Sequence, residues 1–176
     1  MNGQNKKPLQ VIGPTALVEV DEIKIIPAKI DTGADSSSIW ASHITIDPQN
    51  ILHFTLFDES SPLYTGKIYS TSKYRAASVR SSNGQKQIRY QVRLPVSIDG
   101  RHIRATFSLS DRGRNKYPIL IGKRTLHGKF IVDVSKPSIR LSRRKTHSLK
   151  LTKELIKNPY QFHQKYVKSN LRGTEK

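Results

Sequence analysis

Short stretches of alternating apolar and polar residues follow one another from Ala16 to Val134. Alternation with a period of two places one side of a strand in a core and the other in solvent, so each stretch predicts a β-strand. The predicted strands cover residues 16–20, 23–30, 38–41, 51–57, 76–80, 88–98, 101–109, 118–122 and 129–134. Turns are predicted at Asp21-Glu22, Asn83-Gly84 and Asp99-Gly100, the last two being strong signals for two-residue hairpins. Many short strands with such turns predict an all-β fold, a barrel or a sandwich.

The pattern changes towards the C-terminus. Lys123–His127 is predicted to form one helical turn, and beyond about Ser135 the alternation stops. Ser142–His147 reads as a basic linker, and residues 149–167 have helical spacing that is interrupted at Asn158-Pro159. We therefore predict an N-terminal arm (1–14), a β-barrel domain (15–134) and a basic C-terminal extension (135–176). This extension is expected to be partly helical, partly disordered and dispensable for folding of the barrel.

The chain carries a large positive charge for its 176 residues. Its formal net charge is +18, and residues 134–176 hold 12 Lys and Arg against Glu154 and Glu175. Such a protein attracts anions: nucleic acid, an acidic membrane surface or an acidic polypeptide. The chain has no cysteine, which excludes disulfides, a thiolate nucleophile and cysteine zinc sites.

No apolar run approaches the roughly 20 residues that span a bilayer, so no membrane span is expected. The N-terminus lacks the apolar core of a signal peptide, which favours a cytoplasmic location. A signal peptide removed beforehand would leave no trace in this sequence.

Motifs for metal or nucleotide chemistry are missing from the sequence. It contains no His-Glu-x-x-His string and no Gly-rich phosphate loop between a strand and a helix. Its histidines have no metal-ligand spacing; they are His43, His53, His102, His127, His147 and His163. No metal and no cofactor are therefore expected. A Ser-His-Asp mechanism is disfavoured because no Gly-x-Ser-x-Gly elbow is present.

The stretch with the most chemical content follows the predicted strand 23–30. It begins with Asp31, continues as Thr32, Gly33 and Ala34, and is followed by Asp35 and Ser36. We expect Gly33 to permit a tight turn, and Thr32 and Ser36 to fix that turn by hydrogen bonds, so that the Asp31 carboxylate is held rigidly. The alternative is a strand that ends in an ordinary Asx turn.

The string Lys-Ile-Asp-Thr-Gly-Ala-Asp-Ser resembles the active-site loop of retropepsin-like aspartic proteases. Pro118-Ile119-Leu120-Ile121-Gly122-Lys123-Arg124 resembles the strand that passes beneath this loop in that family. The hairpin between them occupies the place of the family's flap, with its tip at Ser81, Ser82, Asn83 and Gly84. With Asp111-Arg112, these motifs resemble a bacterial and archaeal subgroup often labelled "ATP-dependent zinc protease". The resemblance covers roughly residues 15–134, and nothing in the sequence supports the ATP or the zinc of that label.

The resemblance implies a closed retropepsin-like (acid protease) barrel with Asp31 catalytic and Thr32, Gly33, Ala34, Asp35 and Ser36 supporting the loop. Ile119, Leu120, Ile121 and Gly122 would form the loop-supporting strand. Because the chain has one Asp-Thr-Gly, it implies a homodimer with one Asp31 from each subunit. For some relatives, it implies trimming of glutamate tails added by an ATP-grasp ligase.

Several charged residues are candidates for substrate or interface contacts. Arg112 or Arg124 is predicted to pair with Asp35 or Asp111, within a subunit or across the dimer. Arg80, Arg89 and Arg93 flank the flap hairpin and line the cleft mouth or are ordinary solvent-facing charges. Two other functions stay open: a basic β-barrel that binds RNA or a ribosome through its tail, and an inactive retropepsin-like scaffold.

Overall fold

The structure, a computed structural model, describes residues 8–80, 86–139 and 146–168. The predicted flap tip, Ser81, Ser82, Asn83 and Gly84, lies outside the described residues. The strands are β1 (Gln10–Ile12), β2 (Thr15–Val20), β3 (Ile23–Asp31), β4 (Ser37–Ile46), β5 (Leu52–Leu56), β6 (Ile68–Thr71), β7 (Tyr74–Arg80), β8 (Lys86–Ile98), β9 (Arg101–Ser110), β10 (Ile119–Gly122) and β11 (Phe130–Val132). The helices are α1 (Lys123–Leu126), α2 (Thr146–Lys157) and α3 (Pro159–His163), followed by a π-helical turn, Gln164–Lys168.

Six strands close a barrel in the order β3, β2, β8, β9, β4 and β10. The closing strand, β10, runs parallel to β3 on one side and antiparallel to β4 on the other. Strand β9 runs parallel to β4, and the other barrel pairs are antiparallel. Strands β5 and β6 extend the sheet beyond β4, β7 pairs with β8, and β1 pairs with β11. The predicted all-β closed barrel is confirmed.

Alternating apolar residues build the core, as the sequence pattern requires. In β2, Ala16, Val18 and Val20 are buried, whereas Leu17 and Glu19 between them are exposed. The largest fully buried side chains are Phe54, Phe57, Phe107, Ile12, Ile26, Ile39, Leu52, Leu56, Ile98, Leu109, Ile119 and Ile121. Burying each such side chain contributes about 1.5–3 kcal/mol, so this core is the main source of the barrel's stability.

Strand β4 is longer than predicted. Alternation indicated residues 38–41, but the strand runs from Ser37 to Ile46. His43 has a positive φ of 49°, and the pairing with β5 shifts register between Ser42 and Thr45. A bulge of this kind moves the later side chains to the other face, so the period of two is lost there.

By contacts the chain divides into two compact units, Met1–Ile139 and Arg140–Lys176. The predicted boundary at residue 134 was not tested by this division and stays a prediction. In the second unit, Thr146 and His147, which were predicted to belong to the linker, start α2. Asn158 interrupts the helical run as predicted, and its side chain accepts a hydrogen bond from the Gln161 N–H at 3.0 Å. In the part of the chain that the structure describes, no helix is long and apolar enough to cross a membrane.

Candidate active site

Asp31 is the last residue of β3, and its carboxylate is fixed by the turn that follows. Asp31 Oδ1 accepts hydrogen bonds from the backbone N–H of Gly33 at 3.1 Å and of Ala34 at 3.2 Å. The side chain is half-buried. These two hydrogen bonds orient the carboxylate, while its second oxygen makes no hydrogen bond among the described residues.

The side chains that fix this turn differ from those expected. Thr32 and Ser36 make no side-chain hydrogen bond within the described residues, whereas buried Ser37 does. Ser37 Oγ accepts from the Gly122 N–H at 3.0 Å and lies 2.7 Å from Thr125 Oγ1. The hydrogen bonds expected from Thr32 and Ser36 are therefore not observed among the described residues, where the buried hydroxyl that contacts this segment is that of Ser37.

Gly33 is also not required for the reason expected. It does not have a left-handed φ, and a Cβ there would meet only Asp31 Oδ1, at 3.4 Å, which is an ordinary contact. The tight constraint is at Gly122. A Cβ at Gly122 would come within 2.6 Å of the Ser36 carbonyl and 2.8 Å of the Ala34 oxygen. Only glycine allows β10 to pass this close to the loop.

The strand β10 therefore supports the loop by direct backbone contact. Gly122 lies opposite Asp31 in the parallel β10–β3 pair. Just after it, the Lys123 N–H donates to the Ala34 oxygen at 2.8 Å and the Arg124 N–H to the Asp35 oxygen at 3.2 Å. Helix α1, which contains Thr125, begins at this point, so a single segment carries the loop's backbone and side-chain partners.

Asp35 forms an ion pair, but its partner is Lys123 rather than Arg112 or Arg124. The Lys123 Nζ lies 2.7 Å from Asp35 Oδ1, with both side chains largely exposed. The hydrogen bond from Lys123 and its charge, together with the charge of Arg124, lower the pKa of Asp35. This pair joins the end of the loop to the start of α1 on the solvent side.

Asp111 and Arg112 do not pair with each other or with Asp35 among the described contacts. Asp111 Oδ1 accepts from the Gly113 N–H at 2.9 Å. Arg112 is half-buried and donates from Nη1 to Ser38 Oγ at 3.0 Å and from Nε to the Tyr117 oxygen at 3.2 Å. Burial, and then the charge of Arg89, lower the pKa of Arg112. The predicted pairing of Arg112 or Arg124 with Asp35 or Asp111 is therefore not observed. Arg80 lies in β7 opposite Lys86, near the end of the flap hairpin.

A cleft of about 830 Å³ adjoins the loop, with Ser36, Ser37 and Thr125 on its wall. We call it the cationic cleft, because the described residues that line it include no acid and six bases: Lys73, Arg75, Arg93, Arg104, Arg124 and Lys129. Arg93 lines this cleft and Arg89 does not, and the predicted position of both at the mouth of the substrate cleft stays a prediction. A concentration of cations in a concave surface focuses a positive potential on it.

In the described part of the chain, histidines and acids do not converge in a way that indicates a metal. Within the described residues, no three His, Cys, Asp or Glu side chains are grouped to hold an ion. His53 lies between Asp47 and Ser70, with its Nε2 3.0 Å from Asp47 Oδ2 and its Nδ1 2.8 Å from Ser70 Oγ. The contacts of Asp47, His53 and Ser70 join β5 to β6 and to the loop before β5. The hydrogen bond with His53, followed by that from the Ile51 backbone N–H, is the main cause of the lowered pKa of Asp47.

A closed six-stranded barrel, an Asp at the end of a strand and an apolar strand ending in glycine beneath it together define a retropepsin-like fold. The sequence matches the family described as "RimB-like: Retropepsin-like aspartic endopeptidase RimB" over residues 12–143. The chain belongs to this RimB-like family.

Comparison with solved structures agrees on the fold. The crystal structure of protein Lpg0085, of unknown function (DUF785), from Legionella pneumophila subsp. pneumophila str. Philadelphia 1 is similar, with a TM-score of 0.52 and 24% sequence identity. The match covers 73% of this chain and 96% of that one. No curated protein sequence matches the chain.

Proposed function

We propose that this protein is an aspartic peptidase that is active as a homodimer, with Asp31 of each subunit as the catalytic residue. The observation that carries the proposal is the half-buried Asp31 carboxylate, which two backbone N–H groups orient at the end of β3. The second oxygen of Asp31 makes no hydrogen bond among the described residues, and in the proposed dimer it would face the partner carboxylate and a water molecule. Membership of the RimB-like family supports the same reaction.

The mechanism needs two carboxylates that share one proton. Two carboxylates about 3 Å apart cannot both ionise, so the pair titrates as a unit. The ionised member takes a proton from water as the water oxygen attacks the scissile carbonyl carbon, and the protonated member donates its proton to the carbonyl oxygen. A proton then passes to the amide nitrogen, the C–N bond breaks, and an acid and an amine leave.

The requirement for a homodimer follows from the sequence. The chain contains one Asp-Thr-Gly, so one subunit supplies one of the two carboxylates. A two-fold symmetric interface brings identical residues together at its axis, which supplies the second carboxylate without a second motif.

The proposed substrates are acidic, glutamate-rich polypeptides. Two features support this class: the net charge of +18, and the six bases of the cationic cleft beside the catalytic loop. Both raise the local concentration of a polyanion, and both act less at high salt because exposed charges are screened over about 10 Å at roughly 0.1 M ionic strength.

Asp31→Asn tests the catalytic role. Asn can still accept the hydrogen bonds from Gly33 and Ala34, but it cannot act as a base or share a proton, so cleavage should fall to background with little change in melting temperature. A glutamate-rich peptide and a neutral one would be incubated over a range of pH and salt and analysed by mass spectrometry. Wild-type rates in the Asn variant would rule out the aspartic mechanism.

A second candidate function is binding without catalysis, to RNA or a ribosome. The same cationic cleft favours it, because phosphates bind the same side chains as carboxylates, and the C-terminal unit adds further bases. Affinity for an RNA oligonucleotide that is unchanged by Asp31→Asn, in a protein that cleaves no peptide, would support this function or an inactive scaffold.

A further inference from the structure

The strand register places a row of side chains on the same face of the barrel wall as Asp31. Two residues that lie opposite each other on neighbouring strands point to the same face of the sheet. Two residues that are two positions apart on one strand also point to the same face. Asp31 lies opposite Gly122, Leu120 opposite Ser38, Ser38 opposite Ser108, and Ser108 opposite Gln91. The row therefore crosses five strands from the proposed catalytic residue to the base of the flap hairpin; its members are Asp31, Leu120, Ser38, Ser108, Gln91 and Arg89.

The middle of this row is polar and is partly covered by Arg112. Ser38 and Ser108 are 7% and 2% exposed, respectively, although both carry hydroxyls on the outward face. Arg112 Nη1 donates to Ser38 Oγ at 3.0 Å, and Gln91 Nε2 donates to Ser108 Oγ at 3.2 Å. Buried hydroxyls that serve as acceptors fix the orientation of the groups above them.

Among the described contacts, the Arg112 guanidinium uses only some of its N–H donors and has no carboxylate partner. Its two hydrogen bonds, to Ser38 and to the Tyr117 oxygen, use two of the five N–H donors of an arginine. Neither Arg112 nor Arg89 forms an ion pair with any of the described residues. Arg89 lies near enough for its charge, after burial, to lower the pKa of Arg112. Holding two like charges together, one half-buried, is unfavourable, and an anion between them would relieve this cost.

The spacing relates this pair of arginines to the site of cleavage. Ser38 lies two strands from β3, which is about 10 Å at a strand spacing of roughly 4.8 Å, and its partner Leu120 lies two residues, or about 7 Å, along β10 from the partner of Asp31, so the two residues are about 12 Å apart. An extended peptide advances about 3.3 Å per residue, so a substrate with its scissile bond at Asp31 places a side chain above Ser38 within about four residues. Arginine binds a carboxylate through two parallel N–H bonds, which makes it selective for that group.

We propose that Arg112, assisted by Arg89, binds the side-chain carboxylate of an acidic residue in the substrate, within about four residues of the scissile bond. These arginines are specificity-determining residues, distinct from the cationic cleft, which captures substrate less selectively. The proposal rests on the proposed peptidase function, and it identifies which side chains distinguish a glutamate from its neutral amide analogue.

The test compares two peptides that differ in one position near the bond cut by the wild type, Glu in one and Gln in the other. The variants are Arg112→Gln, Arg89→Gln and, as a matched control in the same loop, Arg114→Gln, whose side chain is exposed. Losing a hydrogen bond to a charged group lowers kcat/KM for the Glu peptide about tenfold to hundredfold in Arg112→Gln. The expected effect of Arg89→Gln is smaller but of the same sign. For the Gln peptide the losses in Arg112→Gln and Arg89→Gln should be much smaller, because a neutral amide binds an arginine more weakly than a carboxylate, and Arg114→Gln should leave both peptides unchanged.

A parallel binding measurement separates this proposal from the peptidase proposal. Fluorescence anisotropy with full-length Asp31→Asn protein and both labelled peptides should show tighter binding of the Glu peptide, a preference that adding Arg112→Gln removes. If the wild type cleaves neither peptide but the binding preference is present, the peptidase function fails and the carboxylate site stands. Equal losses for Glu and Gln peptides in Arg112→Gln, or no loss for either, would overturn the site. If Arg112→Gln fails to fold by circular dichroism, Arg89→Gln alone decides by the same Glu-to-Gln ratio.

Discussion

Individual contacts around Asp31 show how little of the loop's geometry depends on the loop's own side chains. The carboxylate is held by two backbone N–H groups, while the bracing hydroxyls belong to Ser37 and Thr125, which lie 88 residues apart in the sequence. Gly122, from the opposite end of the barrel domain, is the residue that cannot take a side chain. The position of Asp31 thus depends on β10 as much as on the Asp-Thr-Gly motif.

Gly122→Ala should destabilise the protein and displace the loop. The added Cβ would lie 2.6 Å from backbone atoms of Ser36, which cannot rotate away, so we expect a loss of about 1–3 kcal/mol in the free energy of unfolding. Gly33→Ala is the matched control, because its Cβ meets only Asp31 Oδ1, at 3.4 Å. Thermal melts of both variants test this, and equal melting temperatures for the two would contradict it.

Asp47 provides a test at acid pH. Its carboxylate accepts from the Gln49 and Ile51 N–H groups and lies 3.0 Å from His53 Nε2, and the hydrogen bond with His53 is the largest cause of its lowered pKa. A carboxyl group whose pKa is lower in the folded state adds stability above its ordinary pKa of about 3.8 and loses it as the pH falls below that value.

Asp47→Asn should therefore lower stability at pH 7 and flatten the fall in stability between about pH 4 and pH 2, where the wild-type carboxylate would take up its proton. Urea unfolding from pH 7 to pH 2 measures this, with exposed Glu19→Gln as the control. If Asp47→Asn gives the same acid dependence as the wild type, the row Asp47, His53 and Ser70 does not contribute to folding.

At the scale of elements, alternation predicted most strands because most of them have one buried and one exposed face. Strands β2, β3, β8 and β9 match their predicted ranges within two residues at each end. The pattern failed in β4, where Ser37 to Ala41 are all buried and a bulge at His43 follows. A strand buried on both faces has no period of two to detect, so its length depends on neighbours that the local sequence does not specify.

The candidate site was predictable only in part, because its geometry also depends on contacts between residues far apart in the sequence. The Asp-Thr-Gly-Ala string and the apolar strand that ends at Gly122 are local patterns, and resemblance to a family relates them. The parallel pairing of β10 with β3, which sets Gly122 opposite Asp31, joins residues about 90 positions apart. Ion pairs such as Asp35–Lys123 depend on that register, so the sequence identified the charge of Asp35 but not this partner.

At the scale of the whole molecule, the barrel and the basic C-terminal unit both carry a net positive charge, but their functional groups differ. The barrel unit combines a potential catalytic carboxylate with a cationic cleft, whereas the helical unit, α2 with α3 and the π-helical turn, has its own contacts. One example is the Tyr166 hydroxyl, which donates to Glu154 Oε2 at 2.8 Å.

Hydrogen bonds continue past the predicted boundary at residue 134, because the Ile139 N–H donates to buried Thr15 Oγ1 at 2.7 Å. This hydrogen bond makes residue 139 an alternative to the predicted end of the barrel domain at residue 134.

Two truncations test where the barrel ends. A chain ending at Ile139 should melt cooperatively at nearly the temperature of the full-length protein, since it keeps every described contact of the first unit. A chain ending at Ser135 loses the bond from Ile139 to Thr15 and the bond from Lys136 Nζ to the Val11 oxygen. Each contributes about 0.5–1.5 kcal/mol, and a buried hydroxyl is left without its donor, so this chain should melt several degrees lower.

Calorimetry on the three proteins distinguishes the outcomes. A broad, non-cooperative transition for the chain ending at Ile139 would show that the basic unit is required for the barrel to fold. Identical melting of both truncations would place the boundary at or before residue 135, as the loss of alternation in the sequence predicts.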